Sequence, residues 1–137
     1  MNVLVIDAQG GGLGRQLILS VKKEHPETHI MAVGTNTTAT SAMLKAGADA
    51  AATGENSVVT ACRKADIIIG PIGIVIADAM LGEITPVMAK AVAQADAKRI
   101  LIPFSNCDNY IAGTNDMNTS KLVEDAAARL NAYLTEQ

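Results

Sequence analysis

Two glycine turns offer most of the chemistry in this sequence. Gly10-Gly11-Gly12-Leu13-Gly14 follows the apolar run Val3-Leu4-Val5-Ile6 and Asp7, and leads into Arg15-Gln16-Leu17. Gly70-Pro71-Ile72-Gly73 follows Asp66-Ile67-Ile68-Ile69. Glycines between a strand and a helix let backbone amides come close to a phosphate, and the helix dipole favours negative charge there. The competing reading is a tight strand-to-helix connection with no ligand. On the ligand reading Asp7, Gln9 and residues 10–14 form one wall of a site and residues 70–73 the other. Thr35 and Asn36 then face a ribose or its equivalent, and Asn106 closes the far side.

The first turn lacks a strict G-x-G-x-x-G pattern, because Arg15 stands where the third glycine belongs. Its spacing resembles the G-x-x-x-G-x-G turn of short-chain dehydrogenases, with Ala8, Gly12 and Gly14 in the glycine places. That resemblance does not extend to catalysis. The dehydrogenase pair is Tyr-x-x-x-Lys, whereas Tyr110 is followed four residues later by Thr114 and Tyr133 by Gln137. NAD sites usually carry an acid at the end of the second strand. Here that place is the uncharged Gly34-Thr35-Asn36, which is also a good turn and helix cap. NAD(P) is therefore less favoured than a mononucleotide or another phosphate ligand, and the cofactor stays unassigned.

Other polar groups expected at the crevice edge are Glu55, Asn56 and Asp108. Asp7 or Glu55 can serve as a base or an oxygen ligand to a metal, but Asp7 is better suited to capping the turn amides and Asn56 to capping a helix. Cys107 has no evident base beside it, and Cys62 belongs to a buried helix face. His25 and His29 are expected at the surface.

Composition narrows the class. The chain has 137 residues, enough for one domain, with 49% apolar and 18% charged residues, which fits a globular protein. Aromatics make up only 2%, which excludes a base-stacking RNA platform, and the net charge of −3 argues against a nucleic-acid partner. Two cysteines make neither a disulfide framework nor a C-x-x-C metal site. The first strand starts at about residue 3, and no apolar run reaches the ~20 residues a membrane span needs. A cytoplasmic, soluble protein is expected.

The elements that must hold these residues alternate. The expected strands are Val3–Ile6, His29–Val33, Ala48–Ala52, Asp66–Gly70 and Arg99–Phe104. The expected helices are Leu13–Glu24, Thr37–Ala46, Asn56–Lys64, one opening at Thr85-Pro86, and Ser120–Leu134. Residues 72–82 are ambiguous: Ile74-Val75-Ile76 is β-branched, yet the alternation asks for a helix, with Pro71 suited to its first position. Asn109–Ala112 is a candidate edge strand. About five strands alternating with helices make a three-layer, doubly wound, mostly parallel Rossmann-like sheet. If its first and fourth strands are neighbours, both glycine turns open on one crevice. The near absence of charge from 72 to 81 predicts a covered segment, and with it a homodimer whose axis runs near Ile74, Val75 and Leu81.

Asp7 to Gly14, Gly34-Thr35-Asn36, Ala42 to Ala50, Thr53-Gly54-Glu55-Asn56 and Gly70 to Ala77 together resemble a family of small bacterial proteins known only as a domain of unknown function. The resemblance covers residues 1 to about 105 and departs at Ala8, where relatives are expected to carry glycine. It implies a Rossmann-like fold and no activity. Three functions stay open: a protein binding a nucleotide or phosphate metabolite, a non-catalytic sensor or oligomeric module, and a scaffold whose glycines are structural.

Overall fold

The computed structural model describes residues 1–103 and 109–136. Five parallel strands form one sheet: β1 (Val3–Asp7), β2 (Ile30–Gly34), β3 (Ala50–Thr53), β4 (Ile67–Pro71) and β5 (Lys98–Ile102). Their order is β3-β2-β1-β4-β5, so the winding reverses between β1 and β4. Every residue of β1 and β4 is buried, as their unbroken apolar runs require. β3 is an alanine-rich edge and only half-covered.

Alternation along β1 splits the core in two. Val3 and Val5 pack on one face with Leu17, Val21, Met43 and Leu130, from the helices α1 (Gly12–Glu24), α2 (Thr37–Lys45) and α5 (Thr119–Thr135). Leu4 and Ile6 pack on the other with Val58, Cys62, Met88 and Val92, from α3 (Glu55–Lys64) and α4 (Pro86–Gln94). Burial pushes the Cys62 thiol up to about 11, in keeping with a core residue. Thr85 caps α4 through the Met88 amide with Pro86 at the first helical position, as the sequence predicts.

Three expectations about elements fail. Residues 72–82 form no α-helix: Ile72–Val75 is a 3₁₀ turn, and a closed loop follows. Asp78 donates its amide to Ile84 O at 2.7 Å and Ile84 donates back to Ala79 O, while Asp78, Met80 and Leu81 take left-handed conformations. Pro71 therefore ends β4 instead of opening a helix. Ile74 is fully buried, which removes it from any surface axis, whereas Leu81 is 96% exposed. Asn109–Ala112 is not a strand, and turn bonds from Thr114 Oγ1 to Ile111 O and from Met117 N to Thr114 O follow it. Asn56 does not cap α3, because Gly54 occupies the cap position and Glu55 starts the helix.

Candidate functional site

The loop after β1 is organised around the carboxylate of Asp7. Its Oδ1 accepts the Ala8 amide and its Oδ2 the Gly14 amide, each at 2.8 Å, and the side chain is buried. α1 has no acidic residue in its first turn and no side-chain cap from Gly11. Asp7 thus supplies both the cap and the countercharge from the strand before it. Burial pushes its carboxyl above the ordinary range; the amides of Gly14, Ala8 and Leu13 pull it down, and the charge of Glu83 adds to the rise.

The sharp part of the turn falls on Gln9 (φ 53°) and Gly11 (φ 74°), closed by Gly11 N donating to Ala8 O at 3.0 Å. Ala8 is spared the left-handed conformation, which is why alanine fits a place where a glycine is expected. The glycines then divide by what surrounds them. A Cβ on Gly11 would lie 2.8 Å from the Ala39 backbone, one on Gly14 2.6 Å from Met43 Sδ, and one on Gly70 would strike Ile6 O. These three let elements pack closely. Gly10 and Gly12 have nothing within 4 Å of a Cβ, and no partner is recorded among the described residues for either amide.

Those two open glycines line a cavity of about 390 Å³ at the carboxyl ends of β1 and β4. Its wall runs through Asp7, Gln9, Gly10–Leu13 and Gln16 on the β1 side and Pro71, Ile72 and Gly73 on the β4 side, with Met80 and Thr119 at its margins. The two glycine turns thus meet in one crevice. Gly14 and Gly70 do not line it, and Asn106 lies outside the described residues. Glu55 and Asn56 are exposed on α3, away from the cavity.

Thr35 and Asn36 are engaged elsewhere. Glu83 Oε1 accepts the Thr35 hydroxyl at 2.6 Å, the Asn36 side-chain amide at 2.8 Å and the Gln9 backbone amide at 2.8 Å. Asn36 also donates to Gln9 O and caps α2 by accepting the Ala39 amide. Partial burial pushes the Glu83 carboxyl up, but the bonds from Thr35, Gln9 and Asn36 together outweigh it and hold it below the ordinary range. Sequence reasoning reads Glu83 only as a solvent or helix-end position flanking residues 72–82, and passes over Gln16, Met80 and Thr119. Gln16 was within reach, three residues beyond Leu13 on the same helix face; Glu83 was not, because its position depends on the loop conformation. Among the described residues no cluster of His, Cys, Asp or Glu is placed to hold a metal.

The crystal structure of a dodecameric FMN-dependent Ubix-like decarboxylase from Escherichia coli O157:H7 is similar to this chain. The TM-score is 0.54 and the identity 15%, over 98% of this chain and 94% of that one, which speaks for a shared fold. No curated protein matches the chain. A family model described as a domain of unknown function (DUF3842) matches residues 2–135, and the chain belongs to that family.

Proposed function

We propose that the chain binds a nucleotide or another phosphate-bearing small molecule in the crevice between β1 and β4, with the amides of Gly10 and Gly12 facing the phosphate. The observation that carries this reading is the convergence of both glycine turns on one cavity at the point where the strand order reverses. Open α/β sheets bind ligands at that place. Leu13, Pro71, Ile72 and Met80 give the cavity an apolar wall suited to the body of such a ligand. The fold shared with an FMN-dependent enzyme is consistent with this class of ligand.

A second reading, a binding module without catalysis, has its own support. Asp7 is the one titratable residue among the described residues lining the cavity, and two backbone amides hold its carboxylate. We also propose a homodimer or larger assembly in the cytoplasm. The dodecameric neighbour supports self-association, and no helix of the described residues is long and apolar enough to cross a membrane.

The test is a melting-temperature screen against NAD, NADP, FAD, FMN, ATP and S-adenosylmethionine. A ligand at ~100 times its dissociation constant adds about 2.7 kcal/mol to stability. No shift with any of them sinks the nucleotide reading. A ligand that binds and is recovered chemically unchanged favours the binding module.

A further inference from the structure

We infer that Glu83 is the sugar-reading carboxylate of this site, supplied by the loop before α4 instead of by the end of β2. The inference rests on the nucleotide reading above and adds a specificity to it, NAD over NADP.

In dinucleotide-binding sheets an acid at the end of the second strand accepts the ribose 2′-hydroxyl, and its charge repels a 2′-phosphate. Gly34-Thr35-Asn36 offers no acid there. The folded chain nevertheless holds a carboxylate at that place, because Thr35 and Asn36 both donate to Glu83 Oε1. The third donor to the same oxygen is the amide of Gln9, a residue of the cavity wall. One carboxylate therefore joins the glycine loop, the β2–α2 junction and the loop before α4. All three bonds fall on Oε1, and no partner of Oε2 is recorded among the described residues. Glu83 does not itself line the cavity, but it is partly exposed and bonded to the cavity wall through Gln9, and its second oxygen is assigned to a ligand hydroxyl.

Its position is set in advance. Ala79 and Ile84 are buried, and the amides of Asp78 and Ile84 close the loop against Ile84 O and Ala79 O. A loop holding three non-glycine residues in the left-handed region persists only where its surroundings dictate it. The charges of the cavity wall itself agree with the assignment. No Lys, Arg or His is among the described residues of the cavity wall, and Asp7 adds negative charge close by. Arg15 lines a separate open groove with Thr37, Thr38, Ser41 and Lys45. A 2′-phosphate beside Glu83 would meet like charge with no cation of the wall to offset it.

The experiment is calorimetric titration of the full chain with NAD, NADP and inorganic phosphate, for the wild type and for E83Q and E83D. Wild type is expected to bind NAD about tenfold or more tightly than NADP, since like-charge juxtaposition is strongly unfavourable. E83Q is expected to bring the two affinities together, and E83D, which keeps the charge, to retain the preference. A mere loss of loop support would weaken both ligands alike and leave their ratio in place. An unchanged ratio in E83Q overturns the inference, as does a wild type that prefers NADP. The wild-type ratio decides against it even should E83Q fail to fold. If neither dinucleotide binds, the inference falls; inorganic phosphate binding that is lost in G12A would then leave the broader phosphate reading standing.

Discussion

Asp7 Oδ2 accepts the amide of Gly14 at 2.8 Å, so the last residue of the first strand caps the helix that begins five residues later. The other carboxylate oxygen takes the Ala8 amide. A helix N-terminus that elsewhere would face a ligand anion is here partly neutralised by the protein's own buried acid. What the loop leaves for a ligand is the pair of amides on Gly10 and Gly12.

Replacing Asp7 by alanine strands two buried donors. Each unsatisfied buried amide costs about 1–3 kcal/mol, so D7A is expected to lose about 2–6 kcal/mol in urea unfolding. D7N keeps one acceptor and turns an NH2 toward the other amide, so its loss should fall between wild type and D7A. A D7A variant as stable as wild type would mean that the loop holds itself without the carboxylate.

The glycines separate ligand approach from packing. G10A and G12A place a methyl group in open space and are expected to fold with stability within about 1 kcal/mol of wild type. Both should weaken binding of whichever nucleotide the screen identifies, because the methyl stands where a phosphate would approach the amides. G11A forces a left-handed alanine against the Ala39 backbone and should be the destabilised member of the set. Affinity unchanged in both G10A and G12A, measured by calorimetry, rules out the glycine loop as the phosphate site.

The two acids of the site predict opposite pH slopes. Glu83 is held below its ordinary 4.5, so its contribution is complete above that value and disappears as pH falls through its lower folded value. Asp7 is raised above its ordinary 3.8, so the relative stability it gives is present below 3.8 and is lost as pH rises through the folded value. Urea midpoints followed from acid to neutral pH should therefore fall less steeply in acid for E83Q, and D7N should lose the decline on the rising side. Asp49, lowered by its bonds from Lys22 and the Ile30 amide, keeps some acid sensitivity in both variants. A difference between wild type and E83Q that stays constant as pH falls through 4.5 and below would contradict the hydrogen-bonded carboxylate.

How much of this was legible in the residues follows from where the information lies. The apolar runs at Val3–Ile6 and Ile67–Ile69 read as buried strands, as the fold has them, and Thr85-Pro86 marks a helix start through local chemistry. The glycine turns follow from the alternation; their meeting at the β1–β4 crevice is conditional on the strand order, which only the fold supplies. The loop from Ile76 to Ile84 follows from neither. Its apolar residues suit a helix, and the shape comes from left-handed Asp78, Met80 and Leu81, a conformation such residues seldom adopt and only Gly82 announces. The position of Glu83 depends wholly on that loop. So does the diversion of Thr35 and Asn36, whose types fit a ribose contact and a carboxylate contact equally well.

Leu81 combines two unfavourable features, a left-handed backbone (φ 59°) and a side chain 96% exposed. Asparagine tolerates that conformation better and has no apolar surface to hydrate. L81N is therefore expected to raise stability by about 0.5–1 kcal/mol when the chain is monomeric. If a second copy covers Leu81, the same substitution should instead lower the association constant, seen as a shift toward monomer in light scattering at constant concentration. The two effects have opposite signs on the apparent midpoint, and its dependence on protein concentration separates them. A midpoint and a mass both unchanged would show that the loop relaxes without strain at this position and that Leu81 takes no part in self-association.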